Sequence, residues 1–258
     1  MHITNAIRVF ILLLAGLLLG GADLAWAEME DQARYDACMT KARQTPEQGL
    51  EDGLAWQSLG GGEAAGHCVA MALIGLQDYE EAARRLEALV QNSKSRLELR
   101  AALLSQAAQA WTLAGDSARA AGVLKSAQEL TPLEPRPYFD RAVALADVKD
   151  YKAAVEDLTH ALRIDPLWAD AMVLRASAYR YLEDFAKARA DLDKAFTLAP
   201  GHQEGLLERG MLNRLENRPN DARQDWLKAI AINPNTPAAD TARANLQILD
   251  AQGKTPEK

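Results

Sequence analysis

The chain has 258 residues, 48% of them hydrophobic and 25% charged, with a formal charge of -7. Those fractions exclude a chain disordered throughout. With only 6% aromatics, the apolar share falls on Ala, Leu, Val and Ile and favours helix. The acidic balance, with no basic block, excludes a nucleic-acid binder, because affinity for phosphate comes from clustered Lys and Arg.

In chain order, Arg8 precedes an unbroken apolar run from Val9 to Leu19, and Ala25-Trp26-Ala27 follows. A charged start, a short apolar core and a small-x-small site predict a signal peptide over residues 1–27, cut after Ala27. The run is shorter than the roughly 20 residues of a bilayer span. Retention of the segment as an anchor is the alternative. After Ala27 no stretch is long and apolar enough for a transmembrane helix, so the expectation is a periplasmic or secreted protein without stable membrane insertion. Its two cysteines, Cys38 and Cys68, are expected to form a disulfide in an oxidising compartment. Two buried free thiols are the other reading. His67 beside Cys68 makes no metal site, because neighbouring helix positions diverge and no further pair supplies ligand spacing.

Residues 28–62 predict a helical pair, Glu30 to Arg43 and Pro46 to Leu59, with Pro46 at a first helical position and Gly60-Gly61-Gly62 as terminator. Beyond it a period emerges. Pro132, Pro166, Pro200 and Pro234 stand 34 residues apart. The same step links Ala120, Ala154, Ala188 and Ala222; Ala127, Ala161, Ala195 and Ala229; and Ala108, Ala142, Ala176 and Gly210. A further column reads Leu124, Leu158, Leu192 and Trp226. Small residues in fixed columns are what close helix crossings require.

These columns resemble the tetratricopeptide repeat, a 34-residue helix-turn-helix unit with a small residue at position 8, Ala at 20 and 27, and Pro at 32. Four copies follow in register over 101–134, 135–168, 169–202 and 203–236. A degenerate copy over 63–100 has Ala70 at position 8 and Ala82 at position 20 but lacks the terminal Pro. Residues 237–251 carry a helical stripe expected to cap the array, and 252–258 form a flexible tail. The expected fold is all-α: a right-handed superhelical solenoid of antiparallel helix pairs with a C-terminal capping helix.

Three repeats carry Arg at position 7 (Arg141, Arg175, Arg209), and the same three carry Asp at position 23 (Asp157, Asp191, Asp225). Their joint occurrence predicts an ion pair within each repeat. The alternative is a row of arginines that binds an anionic ligand. Chemistry is otherwise scarce. Gly253-Lys254-Thr255 lacks the Gly that a phosphate loop needs, since Ile248 stands there. Neither a nucleophile elbow nor a zinc-protease motif occurs. His67, His160 and His202 are spread over separate repeats and expected at solvated positions. The expectation is a non-enzyme with no cofactor and no metal.

The resemblance implies a concave groove lined by positions 2, 5, 9 and 12 of each first helix. In repeat 135–168 these are Arg136, Phe139, Val143 and Ala146; in 169–202 Asp170, Val173, Ser177 and Arg180; in 203–236 Glu204, Leu207, Met211 and Arg214. Repeat 101–134 supplies Ala102, Ser105, Gln109 and Thr112. An apolar floor with charged borders suits a peptide with apolar anchors and charged flanks. Some of these side chains could instead pack on the next repeat. The Lys and Asn clamp by which the chaperone-binding type holds a C-terminal carboxylate is missing: His67, Ser105 and Phe139 occupy position 5, and Met71, Gln109 and Val143 position 9. The expected function is a non-catalytic scaffold for a peptide or protein of the cell envelope. A small-ligand or lipid carrier, or an accessory subunit of an envelope enzyme or transporter, is the alternative.

Overall fold

The computed structural model describes residues 31–252. The expected signal segment with its cut after Ala27, and the tail from Gly253, lie outside the described residues. Those residues form helices throughout, with no strand among them: α1 (31–44), α2 (Pro46–Ser58), α3 (Gly62–Gly75), α4 (Tyr79–Asn92), α5 (Leu97–Leu113), α6 (Ser117–Leu130), α7 (Pro135–Asp147), α8 (Tyr151–Ile164), α9 (Ala169–Tyr181), α10 (Phe185–Leu198), α11 (Gln203–Leu215), α12 (Pro219–Ile232) and α13 (Pro237–Gln252). None is long and apolar enough to cross a membrane. The chain divides into two compact units, one ending at Lys94 and the other beginning at Ser95.

In the first unit α1 to α3 pack closely because glycines face backbone. A Cβ on Gly49 would lie 2.5 Å from the Ala42 nitrogen, and one on Gly75 would lie 2.8 Å from the Ala42 carbonyl oxygen. Cys38 of α1 and Cys68 of α3 form a disulfide with their Cα atoms 6.0 Å apart. Both are buried in a cluster with Met39, Ala42 and Ala72, against which Tyr35, Leu50 and Met71 pack. The Tyr35 hydroxyl lies 2.7 Å from His67 Nδ1 across the same α1–α3 contact.

In the second unit each first helix packs on the second helix of its own repeat, and each second helix on the first helix of the next. The turn inside a repeat has one recurrent geometry. Gln77, Gly115, Lys149, Glu183 and Asn217, all at position 15 of their repeats, have φ between 58° and 85°. The residue after each donates its N–H to the carbonyl five positions back, at 2.8–2.9 Å, which closes the first helix. That next residue is Asp in four copies, and Asp116, Asp150 and Asp184 accept N–H bonds from Arg119, Ala153 and Lys187 to start the second helix. In the last copy Arg218 stands there and Pro219 begins α12 instead.

The small-residue columns are buried where the helices of a pair cross. The last repeat exchanges partners. A Cβ on Gly210 would lie 2.4 Å from Trp226 Nε1, so the glycine makes room for an indole where the other repeats place Leu. Trp226 anchors a cluster with Leu206, Ala222, Ala229 and Ala242, onto which Leu246 and Leu249 of α13 pack. Helix α13 thus covers apolar surface that a terminal repeat would expose. The interval between the degenerate copy and the next repeat includes Ser93 to Arg96, and α5 starts at Leu97, one turn ahead of the repeat's first position.

Candidate functional site

The charged positions inside the repeats are bonded side chain to side chain. Arg175 grips Asp191 with two hydrogen bonds, Nε to Oδ2 at 2.7 Å and Nη2 to Oδ1 at 2.8 Å, and its Nη1 reaches Thr159 of the preceding repeat. Arg209 holds Asp225 likewise at 2.9 and 2.7 Å, and Asn213 adds a third bond to that carboxylate. The bidentate fork suits a carboxylate buried between two helices, because both of its oxygens are paired. In both arginines the hydrogen-bonded aspartate holds the guanidinium above its usual range.

The first of the three differs. Arg141 Nη1 donates to Gln128 Oε1 at 2.7 Å and reaches Asp157 Oδ1 at only 3.4 Å. Gln128 Nε2 donates to the same Oδ1 at 3.3 Å, while Asp157 Oδ2 is buried without a hydrogen bond. Burial pushes the Asp157 carboxyl up to about 6, against the pull of Arg141 and Gln128. A row of free arginines is therefore not what the repeats present.

The residues assigned to the groove separate into open and closed ones. Arg136, Val143 and Asp170 are exposed, and Phe139 is half-buried with its ring stacked 4.5 Å from that of Trp168. Ser177 lines a small cleft with Tyr151 and Tyr181, whose rings stack 4.4 Å apart. Val173, by contrast, is 7% exposed and sits against Gly205 of the next first helix, so it is core and no groove anchor. Arg180 is 8% exposed and paired with Glu208 of α11 through Nε, with a second bond at 3.3 Å. It bonds the next repeat and does not border an open groove. Leu207 and Met211 pack on the Trp226 cluster together with the α13 leucines, and Arg214 is half-buried with its Nε sealed from solvent. For Val173 and Arg180 the next first helix occupies the space that a ligand would need, and for Leu207 and Met211 the cluster completed by α13 does.

What remains open lies around α5 and α7. A cleft of about 410 Å³ in the first unit borders α3 and α4, and one of about 520 Å³ lies between α5 and α7 and exposes Ala102, Ser105, Gln109 and Arg136. Among the described residues no cluster of His, Cys, Asp and Glu could hold a metal ion.

The sequence model of the tetratricopeptide repeat matches residues 70–135 and 173–240, and a second one of the same description matches 135–166. The chain belongs to the tetratricopeptide repeat family. No curated protein matches it. Three solved structures similar to it carry the same fold. PilF of Pseudomonas aeruginosa is 16% identical, with a TM-score of 0.59, over 84% of this chain and 99% of its own. MamA from Desulfovibrio magneticus RS-1 is 22% identical, with a TM-score of 0.58, over 68% and 97%. YrrB, described as a TPR protein with an unusual peptide-binding site, is 15% identical, with a TM-score of 0.54, over 74% and 96%. In tetratricopeptide terms the exposed positions here are 2 and 9 of α5 and of α7 and position 2 of α9 and of α11.

Several contributors escape sequence reasoning. Glu208 and Arg180 are 28 positions apart, at position 6 of one repeat and 12 of the preceding one, a combination that only this junction has. Gln128 belongs to the repeat before Arg141, so the column that pairs Arg with Asp does not reveal it. The histidines are not simply solvated either. His202 Nδ1 accepts the Gly205 N–H at 3.2 Å and its Nε2 lies 2.9 Å from Asp170 Oδ1, while His160 stacks on Tyr138 with 4.1 Å between centroids.

Proposed function

We propose that this protein is an exported, non-catalytic adaptor that holds an extended peptide segment of an envelope protein across α5 and α7. The observation that carries the reading is the open cleft between those first helices, bordered by exposed Ala102, Gln109 and Arg136, with Val143 about two turns further along α7. Small and polar surface of this kind leaves room for a partner backbone and side chains, as peptide-recognising helical grooves do. A YrrB-like peptide site on the same fold agrees with it. Export is supported by the disulfide, because such bonds persist in oxidising compartments, and by the signal-like residues 1–27.

The test is affinity purification from the native envelope with the wild type, Val143→Asp and Gln109→Arg. Both positions are exposed, so thermal melting should not change. Loss of the same partner with both variants is expected. Full retention with both would place binding elsewhere. Turnover by the purified protein on an envelope substrate would overturn the non-catalytic half. An N-terminus at Glu28 in the fractionated protein is the expected mark of export.

A further inference from the structure

The α5–α7 cleft has a charge character that its small side chains conceal. Helix α5 runs for 17 residues where α7, α9 and α11 run for 13, and its additional first turn carries Glu98 to the cleft. Glu134, immediately before α7, and Asp140, within it, bring two more carboxylates to the same space. Only one of the three is neutralised: Asp140 accepts from Arg136 Nε at 2.7 Å, whereas neither Glu98 nor Glu134 has a cationic partner among the described residues. Burial raises the Asp140 carboxyl despite that arginine. The same lining includes the apolar residues Ala101, Ala102 and Pro137, of which Ala102 is exposed.

We infer that this cleft receives a lysine or arginine side chain of the bound segment, its methylene stem on Ala101, Ala102 and Pro137 and its cationic head between Glu98 and Glu134. The fit is chemical. A long basic side chain has an apolar stem and a charged end, and the cleft offers apolar surface and unpaired carboxylates in that combination. An acidic or C-terminal carboxylate ligand would meet Glu98 and Glu134 with like charge. The cleft holds about 520 Å³, ample for one such side chain and the adjoining backbone. The inference rests on the peptide-adaptor reading and specifies its partner as basic at one position.

The test uses the purified chain with its disulfide intact and a fluorescein-labelled Ser/Ala nonapeptide with one central lysine, read by anisotropy. Two control peptides replace that lysine by Nε-acetyl-lysine or by glutamate. The lysine peptide is expected to bind at least about tenfold more tightly than either control, and added salt should weaken it. Glu98→Gln with Glu134→Gln should remove that preference while the melting temperature stays unchanged, since neither side chain makes an ion pair among the described residues. Equal binding of the lysine and acetyl-lysine peptides, no binding of the lysine peptide, or an undiminished preference in the double variant would each overturn the inference. Val143→Asp separates the two readings. If all three peptides bind alike and lose affinity with Val143→Asp alone, the groove stands and the cation subsite fails. If binding is indifferent to both Val143→Asp and the paired glutamate change, the groove fails as well.

Discussion

Asp157 occupies the place of Asp191 and Asp225 in the following repeats, yet its arginine makes the shorter bond to Gln128. One carboxylate oxygen is left dry, and burial lifts the group to about 6. A raised acid is favoured in its neutral form by the fold, so its contribution is fully present below the ordinary value near 4 and is lost as pH rises through about 6. Urea unfolding of the wild type and Asp157→Asn at pH 4.5 and 7.5 should therefore show the variant gaining on the wild type at the higher pH, by about 2 kcal/mol. A difference unchanged between the two pH values would contradict this assignment. Gly210 gives a second expectation at this scale. Gly210→Ala should destabilise by about 1–3 kcal/mol, because the new methyl meets the Trp226 ring 2.4 Å away, and Trp226→Leu in the same chain should relieve the clash. Chemical denaturation of the single and double variants checks it. The pairing of each Arg with its own Asp was legible from their joint presence in three repeats. The intervention of Gln128 was not, since it depends on a side chain from another repeat.

The helix-turn-helix element depends on a left-handed residue at position 15. Gly115 adopts it without a Cβ, but Lys149 and Glu183 hold φ of 63° and 60° as ordinary L-residues. That conformation costs an L-residue roughly 1–2 kcal/mol, partly offset by the greater chain entropy glycine loses on folding. Glu183→Gly and Lys149→Gly are each expected to raise stability by about 0.5–1 kcal/mol, measured by thermal unfolding. A loss of stability would mean that these side chains contribute more than the turn costs. The repeat period places the turn, but only the backbone shows the left-handed residue at Gln77, Lys149, Glu183 and Asn217, because the sequence marks it with glycine at one copy alone. Asp116, Asp150 and Asp184 then start the second helices by accepting the N–H three residues on.

For the molecule as a whole, the Cys38–Cys68 bond closes a loop of 30 positions within the first unit. Its reduction should lower that unit's stability by about 3 kcal/mol, since the unfolded chain regains loop freedom. Hydrogen exchange with and without reductant should quicken in residues 31–94 and leave 95–252 at their former rates. Equal acceleration throughout would show that the two compact units open together.

The sequence by itself determined the helix pairs, their 34-residue register, the buried small columns and the Arg–Asp partners at positions 7 and 23 of a repeat. All of these are contacts within one repeat, so a single period records them. Which groove positions stay open was decided by tertiary structure. Val173 is closed by Gly205, Arg180 by Glu208, and Leu207 and Met211 by the cluster that α13 completes, while Val143 and Arg136 remain exposed. The physical reason is that exposure depends on the sizes and charges that meet across the junction between repeats. Those differ from one junction to the next even where the repeat itself does not.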